Sequence, residues 1–172
     1  MKVLWAPWRM EYIKKAIKGE QGCFLCEKSR EKRDAENYVV YRSKHAFAIL
    51  NAYPYNNGHM LIAPYRHVPD FESLTQEEVL DIHSILVLSV KALKIAYNPD
   101  GFNIGVNIGR VAGAGLEEHI HVHIVPRWSG DTNFMPVLAE TKVIAQHLRA
   151  TYEELVEAFK LAEKEISEKR RR

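Results

Sequence analysis

In the segment His119-Ile120-His121-Val122-His123, polar and apolar side chains alternate residue by residue. A two-residue period is that of a β-strand, whose side chains point to opposite faces in turn. The segment therefore commits the chain to a sheet: Ile120, Val122 and Ile124 face the core, and the three histidines share the opposite face at intervals of roughly 7 Å. Imidazoles gain nothing from burial, because each carries two polar nitrogens that need partners. One histidine on an exposed strand reads as solvated. Three of the chain's eight within five residues ask for a chemical explanation. Two are open: a metal site, since His-x-His on a strand is a normal zinc arrangement, and nucleophilic catalysis at phosphorus by the middle imidazole.

The rest of the chain supplies the sheet and its cover. Ala6 to Lys18 reads as a short amphipathic helix, with Pro7 in its first turn, Trp8, Tyr12, Ile13, Ala16 and Ile17 at helical spacing, and Gly19 as its end. Cys23-Phe-Leu-Cys26 follows, and the charged stretch from Glu27 to Glu36 reads as an exposed loop or helical turn without chemistry. Runs from Tyr38 to Tyr41, Ala46 to Leu50 and His59 to Ala63 predict a meander, with a turn-rich Tyr53–Gly58 between the last two. Ser73 or Thr75 caps a helix with Glu77 and Glu78 in its first turn, and Val79, Ile82, Ile85, Leu86, Ser89, Leu93 and Tyr97 keep its period. After the turn Asn98-Pro-Asp-Gly101, Phe102–Ile108 and Glu118–Pro126 predict a hairpin, and Thr141 opens a last helix running towards Glu168. The fold class is α+β, one antiparallel sheet with helices on one side. At 172 residues the expectation is a single domain spanning 1–172, its core about 20–135 and a C-terminal helical extension about 141–168.

Composition excludes more than it assigns. A net charge of +2 is too small to argue for a DNA or RNA partner, and the basic tail Lys169–Arg172 gets no role. No apolar run approaches the ~18 residues of a membrane span, and the N-terminus lacks the order of a signal peptide, so the expected compartment is the cytoplasm. In a reducing compartment the C-x-x-C spacing points to metal or redox chemistry rather than a disulfide. Just before the histidines, Gly109-Arg-Val-Ala-Gly-Ala-Gly115 can present backbone N–H groups to an anion, with Asn107 as a further donor. It has neither the Walker lysine nor the Rossmann spacing.

Taken together these residues resemble the histidine triad (HIT) family, whose signature is His-x-His-x-His followed by two apolar residues, here His119 to Val125. The resemblance extends over roughly residues 20 to 135: Cys23-x-x-Cys26, Ala48-Ile-Leu-Asn51 leading into Asn57-Gly-His59, Pro64-Tyr-Arg-His67, Gly101-Phe-Asn103, Asn107-x-Gly109 and Pro126-Arg-Trp128. The stretch from Pro126 to Pro136 is similar to the branch that includes diadenosine tetraphosphate phosphorylases and dinucleoside polyphosphate hydrolases. The resemblance implies a five-stranded antiparallel sheet with two main helices, a homodimer, and cleavage at the α-phosphate of a purine nucleotide or dinucleoside polyphosphate. By position, His121 matches the nucleophile and His123 the partner that binds phosphate oxygens. Asn51 falls where relatives contact the ribose, and Asn107, with Gly113 and Gly115 of the loop, where they contact phosphate. Trp128 resembles a feature of that branch near the substrate. Cys23, Cys26, His67 and His119 match a structural zinc site of part of the family, and no organic cofactor is implied. The chain departs from many relatives at Gly115, where a small hydroxyl residue is common, which leaves only a backbone amide there.

Other residues carry duller readings. His45, His59, His83 and His147 read as surface or packing residues, Tyr53 and Tyr55 as candidates for the nucleotide mouth, and Arg127 as a surface charge or an aid to a phosphate acceptor. Water as acceptor makes a hydrolase and orthophosphate a phosphorylase. Competing functions are a nucleotide-binding interaction module with incidental turnover, a hydrolase of nucleoside phosphoramidates, and a zinc hydrolase using the triad as ligands with Glu117 or Glu118 as its carboxylate. Leu155, Val156, Phe159 and Ile166 of the last helix offer an apolar surface for dimerisation.

Overall fold

The computed structural model describes residues 22–132 and 143–170. The helix expected over Ala6–Lys18 and the end of the Pro126–Pro136 signature lie outside them. The elements are α1 (Phe24–Arg30), α2 (Asp34–Asn37), β1 (Val39–Arg42), β2 (Ala46–Leu50), β3 (Met60–Pro64), α3 (Gln76–Tyr97), β4 (Gly101–Gly105), a 3-10 turn (Arg110–Ala112), β5 (Val122–Arg127) and α4 (Leu148–Arg170). The five strands form one antiparallel sheet in the order β1-β2-β3-β5-β4, so the expected α+β class and the β4–β5 hairpin are observed.

Alternation along β2 and β3 builds the two faces. Ala46, Ala48, Leu50, Met60 and Ile62 turn to one side, where Ile82, Ile85, Leu88 and Leu93 of α3 and Leu155 and Phe159 of α4 complete the core. Phe47, Ile49, Leu61 and Ala63 turn to the other, where they pack with Leu25 of α1. The helices are thus not confined to one side, because both faces of β2 and β3 are apolar and each needs cover.

α3 begins where its cap dictates. The Thr75 hydroxyl accepts the Glu78 N–H at 3.3 Å, and the Glu78 carboxylate accepts the Thr75 N–H at 2.8 Å, a reciprocal capping box. Asn98, left-handed at φ 43°, ends it. Asp81 on this helix accepts the backbone N–H groups of His45 and Ala46 at 2.6 and 3.0 Å and so fastens α3 to the β1–β2 turn. α4 starts at Leu148 rather than Thr141, since the His147 ring accepts the Arg149 N–H at 3.2 Å and caps it there.

Candidate active site and adjoining metal cluster

The histidine segment is only partly a strand. β4 ends at Gly105, opposite His123, and β5 begins at Val122, opposite Ile62 of β3. Upstream, the next carbonyl of β3 is occupied: Pro64 O accepts from the His119 ring at 2.9 Å, and the Ile120 N–H donates instead to Val68 O at 2.7 Å. With its ladder partner taken by a side chain, the strand stops. The three imidazoles therefore do not line one exposed strand face. His119 and His121 are buried, and both nitrogens of His119 and Nδ1 of His121 find partners inside the protein.

Those partners fix the protons. Pro64 O can only accept, so Nε2 of His119 carries the hydrogen and Nδ1 is bare. His121 Nδ1 lies 2.8 Å from His119 O, so Nδ1 carries the hydrogen and the Nε2 lone pair is free. His59 accepts the Tyr55 N–H on Nδ1 at 3.0 Å, leaving its Nε2–H to donate to Nδ1 of His123 at 3.0 Å. His123 then holds its own hydrogen on Nε2, as a donor. The rings of His121 and His123 lie 4.9 Å apart.

Burial, followed by the neighbouring imidazoles, pushes His59 down to about 3 and His123 down to about 4; burial lowers His121 as well. At neutral pH the cluster is uncharged: one bare nitrogen on His121 beside one N–H donor on His123.

His59, expected to be surface or packing, is 1% exposed and belongs to this cluster. The signal lay in strand pairing. His123 is directly opposite Leu61, and His59 shares that face of the chain two residues earlier, so the two histidines are diagonal neighbours. Tyr55 completes the group, its half-exposed ring within 9° of parallel to that of His123 at 6.0 Å. Asn51 donates to His59 Nδ1 at 3.3 Å and accepts the Tyr53 N–H at 2.9 Å, which ties the Tyr53–Gly58 loop to the cluster.

In the glycine loop, Gly109 and Gly113 have φ of 78° and 90°, where a side chain would be strained. Asn107 Nδ2 lies 3.9 Å from the position a Cβ on Gly113 would occupy. The amides of Ala112, Gly113 and Ala114 close the turn onto Gly109 O and Arg110 O, so the expected anion nest spends three of its N–H groups on itself. Gly115 is exposed and follows these closed amides.

Trp128 donates its indole N–H to Tyr97 O at 3.2 Å, anchoring the end of β5 to the end of α3. Arg127 is held by both oxygens of Asp131 and by Asn103. That engagement gives it a structural partner in place of a free anion.

The second cluster adjoins the first. Cys23 Sγ lies 3.1 Å from His119 Nδ1, and Cys26 Sγ lies 3.4 Å from Nδ1 of both His119 and His67. All four ligand atoms fall within 4.8 Å of one another. Tetrahedral zinc with two thiolates and two imidazoles needs ligand atoms about 3.5 Å apart, so the donor set and its spacing fit. Its second shell is present too. Pro64 O orients His119, and the Glu118 carboxylate stands 3.8 Å from Nε2 of His67. The His67 and His119 rings meet edge to face with both Nδ1 atoms turned to the thiols, rather than hydrogen-bonding to one another. Burial pushes the Cys23 thiol up to about 11. Among the described residues the metal-competent group is this one, not the triad, and Glu118 serves its edge. The zinc hydrolase built on the triad thus loses His119 as a ligand and Glu118 as a carboxylate to the other cluster.

Comparison with known proteins gives a consistent result. The HIT domain model matches residues 32–130. An AP-4-A phosphorylase of Mycobacterium tuberculosis is 40% identical over 154 residues, covering 86% of this chain and 79% of that protein. Two solved structures share the fold. A hypothetical histidine triad nucleotide-binding protein of Sulfolobus tokodaii has a TM-score of 0.65 and 28% identity over 80% of this chain and 92% of that one. A Zn-bound histidine triad family protein of Mycobacterium smegmatis has a TM-score of 0.66 and 25% identity over 85% of this chain and 99% of that one.

Proposed function

The chain belongs to the HIT domain family, and on that premise we propose that it cleaves diadenosine polyphosphates or related adenine nucleotides through a nucleotidyl intermediate on His121. The observation that carries this reading is the proton arrangement: His119 O holds the Nδ1 hydrogen of His121, which leaves Nε2 bare beside the N–H of His123. A neutral imidazole so oriented is a competent nucleophile at pH 7. Nε2 forms a bond to the α-phosphorus while the bond to the departing nucleotide's oxygen breaks. In the second step water or orthophosphate attacks the same phosphorus, and the P–N bond breaks to return His121. The phosphoryl oxygens gain charge as phosphorus becomes five-coordinate, and the donors His123 Nε2–H, Asn107 and the Gly115 amide stabilise it, with Gly113 holding the turn. Asn51 serves the ribose, and Trp128 holds the frame at the end of β5. The 40% identity to an AP-4-A phosphorylase supports the substrate class.

Cys23, Cys26, His67 and His119 hold zinc in this reading, as a closed structural site that braces the residue whose carbonyl orients His121. Thiols kept reduced for metal fit a cytoplasmic enzyme, and no helix of the described residues is long and apolar enough to cross a membrane.

The enzyme works as a homodimer in this proposal, through a different surface from the one expected. Leu155 and Phe159 of α4 are buried within the chain's own core. Leu80 and Val87 of α3 are 67% and 50% exposed and supply the apolar surface for the dimer, whereas the neighbouring cleft of Phe71, Leu74, Val79 and Leu86 also carries His121 and stays open to substrate in this proposal. A sedimentation mass of one 19.8 kDa chain at micromolar concentration would contradict it.

The test of the activity is product analysis with diadenosine tetraphosphate, with and without orthophosphate, for the wild type and His121→Ala. ADP and ATP formed only with phosphate identify a phosphorylase, and AMP and ATP formed without it a hydrolase. Products independent of His121 would overturn the mechanism.

A further inference from the structure

The helix that presents both thiols is too short to stand alone. α1 has seven residues, with Cys23 as its N-cap and Cys26 inside it, and isolated helices below ~12 residues are marginal in water. Its amino end is held by the ligand cluster and by Leu25, fully buried in the second core. The carboxyl end has a third anchor, outside the ligand set. Arg42, the last residue of β1, donates through one terminal nitrogen to Ser29 O at 2.7 Å. Through the other it donates to Lys28 O at 3.2 Å and Glu31 O at 2.9 Å. Nε and that second nitrogen also grip the Asp34 carboxylate at 2.7–3.1 Å. Lys28 O and Ser29 O are among the last carbonyls of the helix, which have no partner within it, and a cation there also opposes the negative end of the helix dipole.

We infer that Arg42 is a positioning residue for the metal centre: by fixing the carboxyl end of α1 to the sheet, it sets how tightly Cys23, Cys26, His67 and His119 hold zinc. The inference rests on the zinc reading above. It also assigns a purpose to the charged stretch after Cys26, whose carbonyls and Asp34 are what Arg42 grips. Lysine is not equivalent at this place, because one ammonium with three donors cannot span three carbonyls and a carboxylate as the planar guanidinium does.

The experiment measures zinc content per chain and the rate of zinc transfer to a chromogenic chelator, for the wild type, Arg42→Lys and Ile85→Val. Ile85 is a buried residue of α3 in the core on the other face of the sheet from α1, so its variant supplies a loss of stability away from the metal cluster. Arg42→Lys is expected to release zinc faster by up to about tenfold, the lower end of the effect seen when a group bonded directly to a ligand is changed. Its cobalt-substituted form should show an altered thiolate-to-cobalt charge-transfer band, and Ile85→Val should leave both readouts unchanged. Zinc release that follows melting temperature equally in the two variants would make Arg42 merely structural and overturn the inference. So would an Arg42→Lys protein with wild-type release. A wild type that binds no zinc would overturn the metal reading itself and this inference with it.

Discussion

Backbone groups that can act in only one sense hold His119, His121 and His59, and through His59 also His123, and the consequences are chemical. Tyr55 N–H acts on His123 through His59, so removing His59 frees the His123 ring to take either tautomer. In a serine protease triad the wrong tautomer costs as much as ~10⁴ in rate. His59 stands one ring further from the reacting atom, so His59→Leu is expected to lower kcat on the order of 10- to 100-fold, read in single-turnover assays; an unchanged kcat would remove His59 from the machinery. The lowered values of about 3 for His59 and about 4 for His123 set the pH response. Burial lowers His121 too, so the acid limb of kcat/KM should lie below the ordinary histidine value, and a limb at 6.5 or above would contradict the buried cluster. Stability follows the same groups. Between the ordinary value of 6.5 and the folded values, the unfolded chain binds more protons, so the melting temperature should fall as pH drops through that window and level off below it.

At the scale of elements, local signals and the β4–β5 hairpin were legible, and pairing between strands distant in sequence was not. Thr75 and Glu78 announced the start of α3, and the helix lies where its apolar spacing put it, because a capping box and a helical period are both written within a few residues. The Cys–His ligand set was legible through the family resemblance, and its four donors converge. His59 was misread because its role depends on β3 lying beside β5, a contact 64 residues away in sequence that alternation cannot reveal. The start of β5 was misplaced for a related reason: a side chain, His119, occupies the Pro64 carbonyl that the strand would have used. The cap itself can be tested apart from the chemistry. Thr75→Ala leaves the Glu78 N–H without its acceptor and should cost about 1 kcal/mol in urea denaturation with kcat unaltered. A loss of kcat would mean that α3 shifts the histidine segment when its first turn frays.

At the scale of the molecule, the question is whether α4 is an appendage or part of what folds. Sequence period alone put it beyond the core. In the structure Leu155, Ala158, Phe159 and Ala162 lie in the same buried cluster as β2, β3 and α3, and Phe159 stacks on Tyr41 of β1 at 5.3 Å. β1 is the edge strand farthest from the histidine cluster in sheet order, so a defect at Phe159 reaches β5 only if the sheet opens as one unit. Phe159→Ala should remove about 3–5 kcal/mol, a large share of the 5–15 kcal/mol typical of a domain. Hydrogen exchange followed by mass spectrometry separates the two cases. In one cooperative domain, the amides of β5 and those of α4 lose protection together in Phe159→Ala, because both exchange through global unfolding. Faster exchange confined to residues 148–170, with β5 as protected as in the wild type, would instead make α4 an appended helix and return the folding unit to the sheet, α1 and α3.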